Sequence, residues 1–164
     1  MKLEPVPGRW SPPASILLVL VTTLLSACGL SIPTDPDGTL DAVRRDGVLR
    51  VGASPSPGWV EVGDDDPTGR EPELVEDFAH HLGASVEWTV AGEEHLVEML
   101  EKGELDLVVG GLTDQNPWTA EAAPTRPYTE ERTADGTKAH VMLVPMGENA
   151  FQSELERWLD GAAS

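Results

Sequence analysis

A single cysteine, Cys28, is the only thiol in 164 residues, so no internal disulfide can staple the fold. Positive charge is also scarce: 11 Lys and Arg stand against 29 Asp and Glu, a net charge of −18 at pH 7. That balance excludes binding to nucleic acid through its phosphates, which needs the opposite sign. It equally excludes attraction to anionic lipid headgroups. No helix-spanning apolar run is present, since Ile16–Leu25 falls short of the ~20 residues a bilayer requires. There is no Gly-rich phosphate loop, no Ser-nucleophile motif and no HExxH. His80, His81, His95 and His140 lack zinc-ligand spacing and read as surface residues. Asp64, Asp65 and Asp66 lack the spaced ligands of a calcium loop and read as a solvated acidic turn. The expectation is therefore no metal, no cofactor and no enzymatic activity.

What is present begins at the N-terminus. Lys2 and Arg9 precede the apolar run Ile16–Leu25, and Leu25-Ser26-Ala27-Cys28 follows it. The run has the length of a signal-peptide core, and small residues let the chain lie extended in a peptidase cleft. The order of charge, core, small residues and cysteine resembles the lipobox of bacterial lipoproteins. The resemblance implies a signal peptide over 1–27 and diacylglyceryl transfer to Cys28, a palmitate-type acyl anchor. Stable anchoring needs more than one acyl chain, which a diacylglyceryl group supplies. Residues 1–27 carry Lys2, Arg9 and Glu4, a net +1, so the remainder carries −19. The lipid, not charge, would hold it to the outer face of the cell membrane.

Residues 28–38 are rich in turn formers and read as a tether. From Thr39 the pattern is regular. Leu40 and Val43 mark a short helix ending at Gly47, and Val48–Ala53 reads as a strand. Pro72 suits a helix start, and Leu74, Val75, Phe78, Ala79 and Leu82 form its apolar stripe before Gly83. Glu71 and Glu73 flank that start, where carboxylates favour the helix dipole. Val86, Trp88 and Val90 alternate as in a strand. Glu93 and Glu94 open a helix striped by Leu96, Val97 and Leu100 and closed by Gly103. Leu105–Gly110 is a nearly continuous apolar strand, suited to a buried parallel sheet. The alternation predicts an α/β domain over 39–164, with a mostly parallel sheet and helices on both faces. Ligands of such sheets bind beyond the strand carboxyl ends, here the Ser54–Trp59 and Gly110–Trp118 loops.

Four blocks carry a resemblance to a family. They are Thr39–Gly52, Pro67–Gly83, Leu100–Thr113 and Ala122–Tyr128, in that order along the chain. Together they resemble bacterial extracytoplasmic solute-binding proteins of the polar amino-acid type, family 3. The resemblance implies a periplasmic-binding-protein type II-like lobe, a small polar or amino-acid-like solute, and an ABC-type importer whose permease is the partner.

Two departures from the family pattern stand out. Only Thr129–Ala139 separates Tyr128 from His140–Pro145, so the second lobe is largely absent. Residues 140–160 then read as the returning strand and helix of the first lobe, with Phe151, Leu155, Trp158 and Leu159 on one helix face; the alternative is that Val141–Val144 begins a truncated second lobe. The other departure lies in the ligand loop. The resemblance retains Thr113 as a ligand contact but puts Trp118 where the family's carboxylate-clamping Arg stands, with Asp114 between them. A cationic or aromatic-stacking ligand suits Trp59, Trp118 and Asp114 better than an ordinary amino acid. The expected ligand residues are Ser54, Trp59, Gly111, Thr113, Asp114 and Trp118. The alternative function is a single-lobe interaction module or a remnant lipoprotein without a transport ligand.

Overall fold

The computed structural model describes residues 35–134 and 136–162. Cys28, the leader expected before it and most of the tether lie outside the described residues. Helix α1 (Thr39–Asp46) leads into β1 (Val48–Ala53), α2 (Arg70–Leu82), β2 (Ser85–Val90), α3 (Glu93–Glu101) and β3 (Leu107–Val109). After β3 come β4 (Ala122–Pro124), β5 (Thr129–Thr133), β6 (Gly136–His140), β7 (Leu143–Pro145) and α4 (Asn149–Ala162). Among the described residues no helix is long and apolar enough to cross a membrane.

Five strands form one sheet in the order β2-β1-β3-β7-β4. β1 pairs in parallel with β2, Val48 opposite Ser85, and with β3, Val51 opposite Leu107. β7 runs antiparallel to β3 and to β4. The expected mostly parallel sheet is thus present, with one reversed strand in it. The period of two along each strand divides the core between its faces. Leu49, Val51, Ala53, Leu107, Val109, Met142 and Val144 pack under α1, α2 and α4. Val108, Val141 and Leu143 pack under α3 with Leu96, Val97 and Leu100. Gly52 faces the α3 side because a Cβ there would come within 2.8 Å of the Leu105 side chain.

Two boundaries differ from the sequence reading. α2 begins at Arg70, two residues before Pro72, which still falls in the first turn where its missing N–H removes no helix bond. β3 covers only Leu107–Val109, because Asp106 turns back to accept hydrogen bonds from the Arg50 amide (2.9 Å) and Nε (3.1 Å).

The segment after Tyr128 departs further from local expectation. β5 and β6 pair antiparallel as a separate two-stranded sheet, Glu130 opposite Ala139. This pair is tied to the strand ends. The Tyr128 amide donates to the His140 carbonyl, and the Val141 amide to the Leu112 carbonyl, both at 3.0 Å. The chain then returns into the first sheet as β7, between β3 and β4, and α4 buries Phe151, Leu155 and Leu159. Val141–Val144 therefore completes the first lobe.

Candidate functional site

The carboxyl ends of β1 and β3 meet at the turn Gly110–Gly111. Glu71, fully buried at 0% exposure, organises that turn. Its Oε2 accepts the amides of Gly110 and Gly111, each at 2.8 Å, and its Oε1 accepts the Tyr128 hydroxyl at 2.6 Å. Burial pushes the Glu71 carboxyl up, against the opposing effect of these three hydrogen bonds. Burial, and then the charge of Glu71, push the Tyr128 phenol up as well. Glu71 thus fills with the protein's own anion a pair of amides that an open turn would present to a ligand.

The Ser54–Trp59 loop lies directly on this turn. A Cβ on Gly110 would sit 2.8 Å from Ser54 Cβ, and one on Gly111 would sit 2.5 Å from Ser56 Oγ and 2.9 Å from Trp59 Cδ1. Gly111 also has φ +64°, which a side chain disfavours. Trp59 is 6% exposed. The His140 ring stacks on it at 3.7 Å between centroids and 26° between planes. The Tyr128 ring meets it edge-on at 6.4 Å, and the Arg70 guanidinium carbon lies 4.5 Å over its centroid.

His140 corrects an expectation, for it is buried at 2% rather than on the surface. Neither of its ring nitrogens has a hydrogen-bond partner among the described residues, and Nε2 lies 3.6 Å from the Glu131 carboxylate of β5. The other histidines read as surface residues, His80, His81 and His95, are exposed.

The structure brings Ser54, Trp59, Gly111 and Thr113 to one strand end, where Thr113 bridges His140. Asp114 is exposed beyond it, its amide donating to the Ala139 carbonyl at 2.9 Å. Trp118 stands apart. It packs on the core beneath α3 and donates its indole N–H to Glu93 at 3.2 Å. Glu71, His140, Arg70 and Tyr128 were not among the sequence candidates. The apolar stripe of α2, carried back one turn from Val75, lands on Glu71, and the alternation Val144, Met142 lands on His140. That spacing was the available signal for both. Among the described residues no group of His, Cys, Asp and Glu could hold a metal ion.

The comparisons with known proteins bear on this site. The model of a family described as bacterial extracellular solute-binding proteins, family 3, matches residues 49–163. That description agrees with an extracytoplasmic location. Membrane-bound lytic murein transglycosylase F of Vibrio vulnificus (strain YJ016) is 39% identical over 105 residues, 63% of this chain and 19% of that protein. Its namesake in Vibrio cholerae serotype O1 (strain ATCC 39315 / El Tor Inaba N16961) is 36% identical over 103 residues, 62% and 19% respectively. The chain spans about a fifth of the length of these curated relatives. Their name is that of an enzyme, and this overturns the expectation that enzymatic activity is absent. Two solved structures share the fold. The arginine-bound form of domain 1 from TmArgBP superposes with TM-score 0.67 at 19% identity, covering 74% of this chain and 98% of that one. EhuB in complex with hydroxyectoine gives TM-score 0.66 at 11% identity, covering 76% and 86%.

Proposed function

Because the chain belongs to family 3 of the bacterial extracellular solute-binding proteins, we propose that it is a single solute-binding lobe displayed outside the cell membrane on a lipid at Cys28. Its ligand is a small polar, amino-acid-like solute held at the strand carboxyl ends. One observation carries this reading: the Ser54–Trp59 loop and Thr113 converge on the Gly110–Gly111 turn, the place where open α/β sheets bind ligands. That TmArgBP has an arginine-bound form as domain 1 alone supports binding by one lobe. The Trp118 indole, tied to Glu93, and the exposed Asp114 favour a ligand that carries positive charge.

The name of the curated relatives brings murein into the reading. The lobe acts at the cell wall alongside a murein-cleaving activity, and its ligand tells that activity of local solute or wall-fragment supply. A second reading, the receptor of an ABC-type importer, is favoured by the family match over residues 49–163. It requires a permease to recognise a lobe whose missing partner lobe is replaced by the β5–β6 pair.

A thermal-shift screen of the full chain in detergent, against amino acids, polyamines and soluble murein fragments, tests binding. A ligand stabilises by RT ln(1 + [L]/Kd), so a tight binder raises Tm with concentration. No shift with any of them sinks the reading. Saturable binding of murein fragments supports the wall role; binding of free amino acids together with pull-down of a permease supports the importer. The anchor is tested by Cys28→Ser, which should move the chain from the membrane to the soluble fraction.

A further inference from the structure

Basic side chains are scarce in this acidic chain, yet three gather on the side of the sheet covered by α1, α2 and α4. Arg44 of α1, His81 of α2 and Arg157 of α4 all reach the Glu154 carboxylate. Arg44 and His81 each lie 3.2 Å from Oε1, and Arg157 lies 2.6 Å from Oε2. The Glu154 side chain is 11% exposed, whereas the three basic side chains are open to solvent. Burial pushes the Glu154 carboxyl up, but the His81 hydrogen bond and the charges of Arg157 and Arg44 outweigh it and hold the carboxyl below the usual carboxylate range. Glu154 is therefore an ionised pivot. One contact with it leaves each guanidinium most of its N–H donors. Asp160, one turn beyond Arg157, is paired with Arg126 instead.

The cluster borders a cavity of about 550 Å³, lined by His81, Glu154, Arg157, Trp158, Gly161 and Ala162. That volume suits a small ligand. Trp158 is half-buried, with part of its indole against the Phe78 ring at 5.7 Å between centroids and the rest lining the cavity. Gly161 and Ala162 add little bulk beside it. The cavity thus joins a flat apolar wall to a surplus of positive charge: two guanidiniums face one carboxylate, on a chain of net charge −18. None of these residues belongs to the Gly110–Gly111 turn or its loops.

We propose that this cavity binds a carboxylated sugar, the pyranose ring lying on Trp158 and the carboxylate taken by Arg157 and His81. Each half of the ligand answers one half of the site. A pyranose offers an apolar face of C–H groups to the indole, and hydroxyls at its rim whose protons Glu154 can accept. The carboxylate meets a guanidinium fork, the donor geometry that suits it best. Arg44, which does not line the cavity, offsets the Glu154 charge from outside it, so that the ligand's carboxylate is not repelled. The inference rests on the reading that the lobe acts at the cell wall, where murein carries a lactyl carboxylate on alternate sugars. It adds a site that holds the lobe to the wall while the strand ends stay open to a solute.

Ligand-observed NMR titration of the full chain in detergent tests it, with N-acetylmuramic acid, N-acetylglucosamine and glucuronic acid as probes. The first two differ only in the lactyl carboxylate. N-acetylmuramic acid should bind at least about tenfold more tightly than N-acetylglucosamine, the difference expected for one charge-assisted hydrogen bond. Arg157→Gln should abolish that preference, and Arg44→Gln should reduce it. Trp158→Leu should weaken both sugars alike. Arg157 is exposed, so its replacement should leave the fold intact, which the unfolding temperature checks; it keeps the test decisive if Trp158→Leu unfolds. Arg45→Gln, which alters an exposed arginine paired with Asp46 outside the cluster, should change nothing. Glucuronic acid separates two sources of the same chemistry: tighter binding of N-acetylmuramic acid assigns the site to murein, and tighter binding of glucuronic acid assigns it to uronic-acid polymers. Equal binding of N-acetylmuramic acid and N-acetylglucosamine, or no binding of either, overturns the proposal. An equal loss in Arg45→Gln and Arg157→Gln reduces the effect to general charge attraction and overturns it too. Sugar binding untouched by Arg157→Gln also overturns the cavity, and leaves the strand-end reading standing, since no strand-end residue has been altered.

Discussion

Trp59 and Trp118 both stand in loops at the carboxyl ends of the sheet, yet they are held in different ways. Trp59 is clasped on both faces, by His140 and Arg70, with Tyr128 at its edge, and its loop rests on a turn fixed by buried Glu71. Trp118 is half-buried and tethered by one hydrogen bond to Glu93. The first belongs to a closed network whose members satisfy or cover one another. The second is a side chain held by that one hydrogen bond and by packing on the core beneath α3. The two sides of the same strand ends are thus held by contact networks of different extent.

Removing the clasped ring should have the largest effect. Trp59→Ala is expected to lose about 3–5 kcal/mol of unfolding free energy, the usual result of emptying a large buried aromatic site. Comparable chemical denaturation of Trp118→Ala should lose less than half as much; equal losses would erase the distinction. Glu71→Ala comes next. It leaves two amides and a phenol without their acceptor, and about 3 kcal/mol should be lost at neutral pH. Gly111→Ala forces a Cβ against Ser56 and Trp59 at positive φ, for an expected loss of about 1–3 kcal/mol. The smallest effect belongs to the tether: Trp118→Phe removes only its hydrogen bond to Glu93, about 1 kcal/mol.

A pH series sharpens the same contrast. The Glu71 pKa is raised in the folded state, so its protonated form is the one the fold favours. That favourable contribution is complete below the ordinary carboxylate range and is lost as pH rises through the raised value. Glu71→Gln, permanently neutral, should therefore gain stability relative to the unaltered chain as pH rises from 4 towards 7, and the difference should then level off. Denaturant midpoints across that range check the sign. A difference that shrinks with rising pH would contradict the assigned shift.

Most of the regular elements were legible because their signals are local. The stripe of α2, the alternation in β2, the stripe of α3 and the apolar run of β3 each lie within one stretch of chain, and the structure follows them to within about two residues at each end. The returning strand and helix were legible for the same reason. The β5–β6 pair was not, because Thr-Glu-Glu-Arg-Thr and Gly-Thr-Lys-Ala-His are polar and barely alternate; each strand exists through pairing with the other. At the strand ends, Ser54, Trp59, Gly111 and Thr113 could be chosen from loop position and resemblance. Glu71 could not be read as the organiser of the turn, since a carboxylate at a helix start has an ordinary reading as a dipole partner. The Tyr128 hydroxyl that donates to it comes from 57 residues away in sequence.

The sequence by itself determined the α/β alternation, the acidic composition and the lone cysteine with its lipobox-like setting. These follow from composition and from periods that each element carries within itself. Only the tertiary structure decided that β7 enters the sheet in reverse between β3 and β4, that His140 lies against Trp59, and that Arg44, His81 and Arg157 meet at Glu154. Those outcomes come from packing between residues far apart in sequence, where the chain's cost of closing a loop is met by burial and hydrogen bonding that no local window contains.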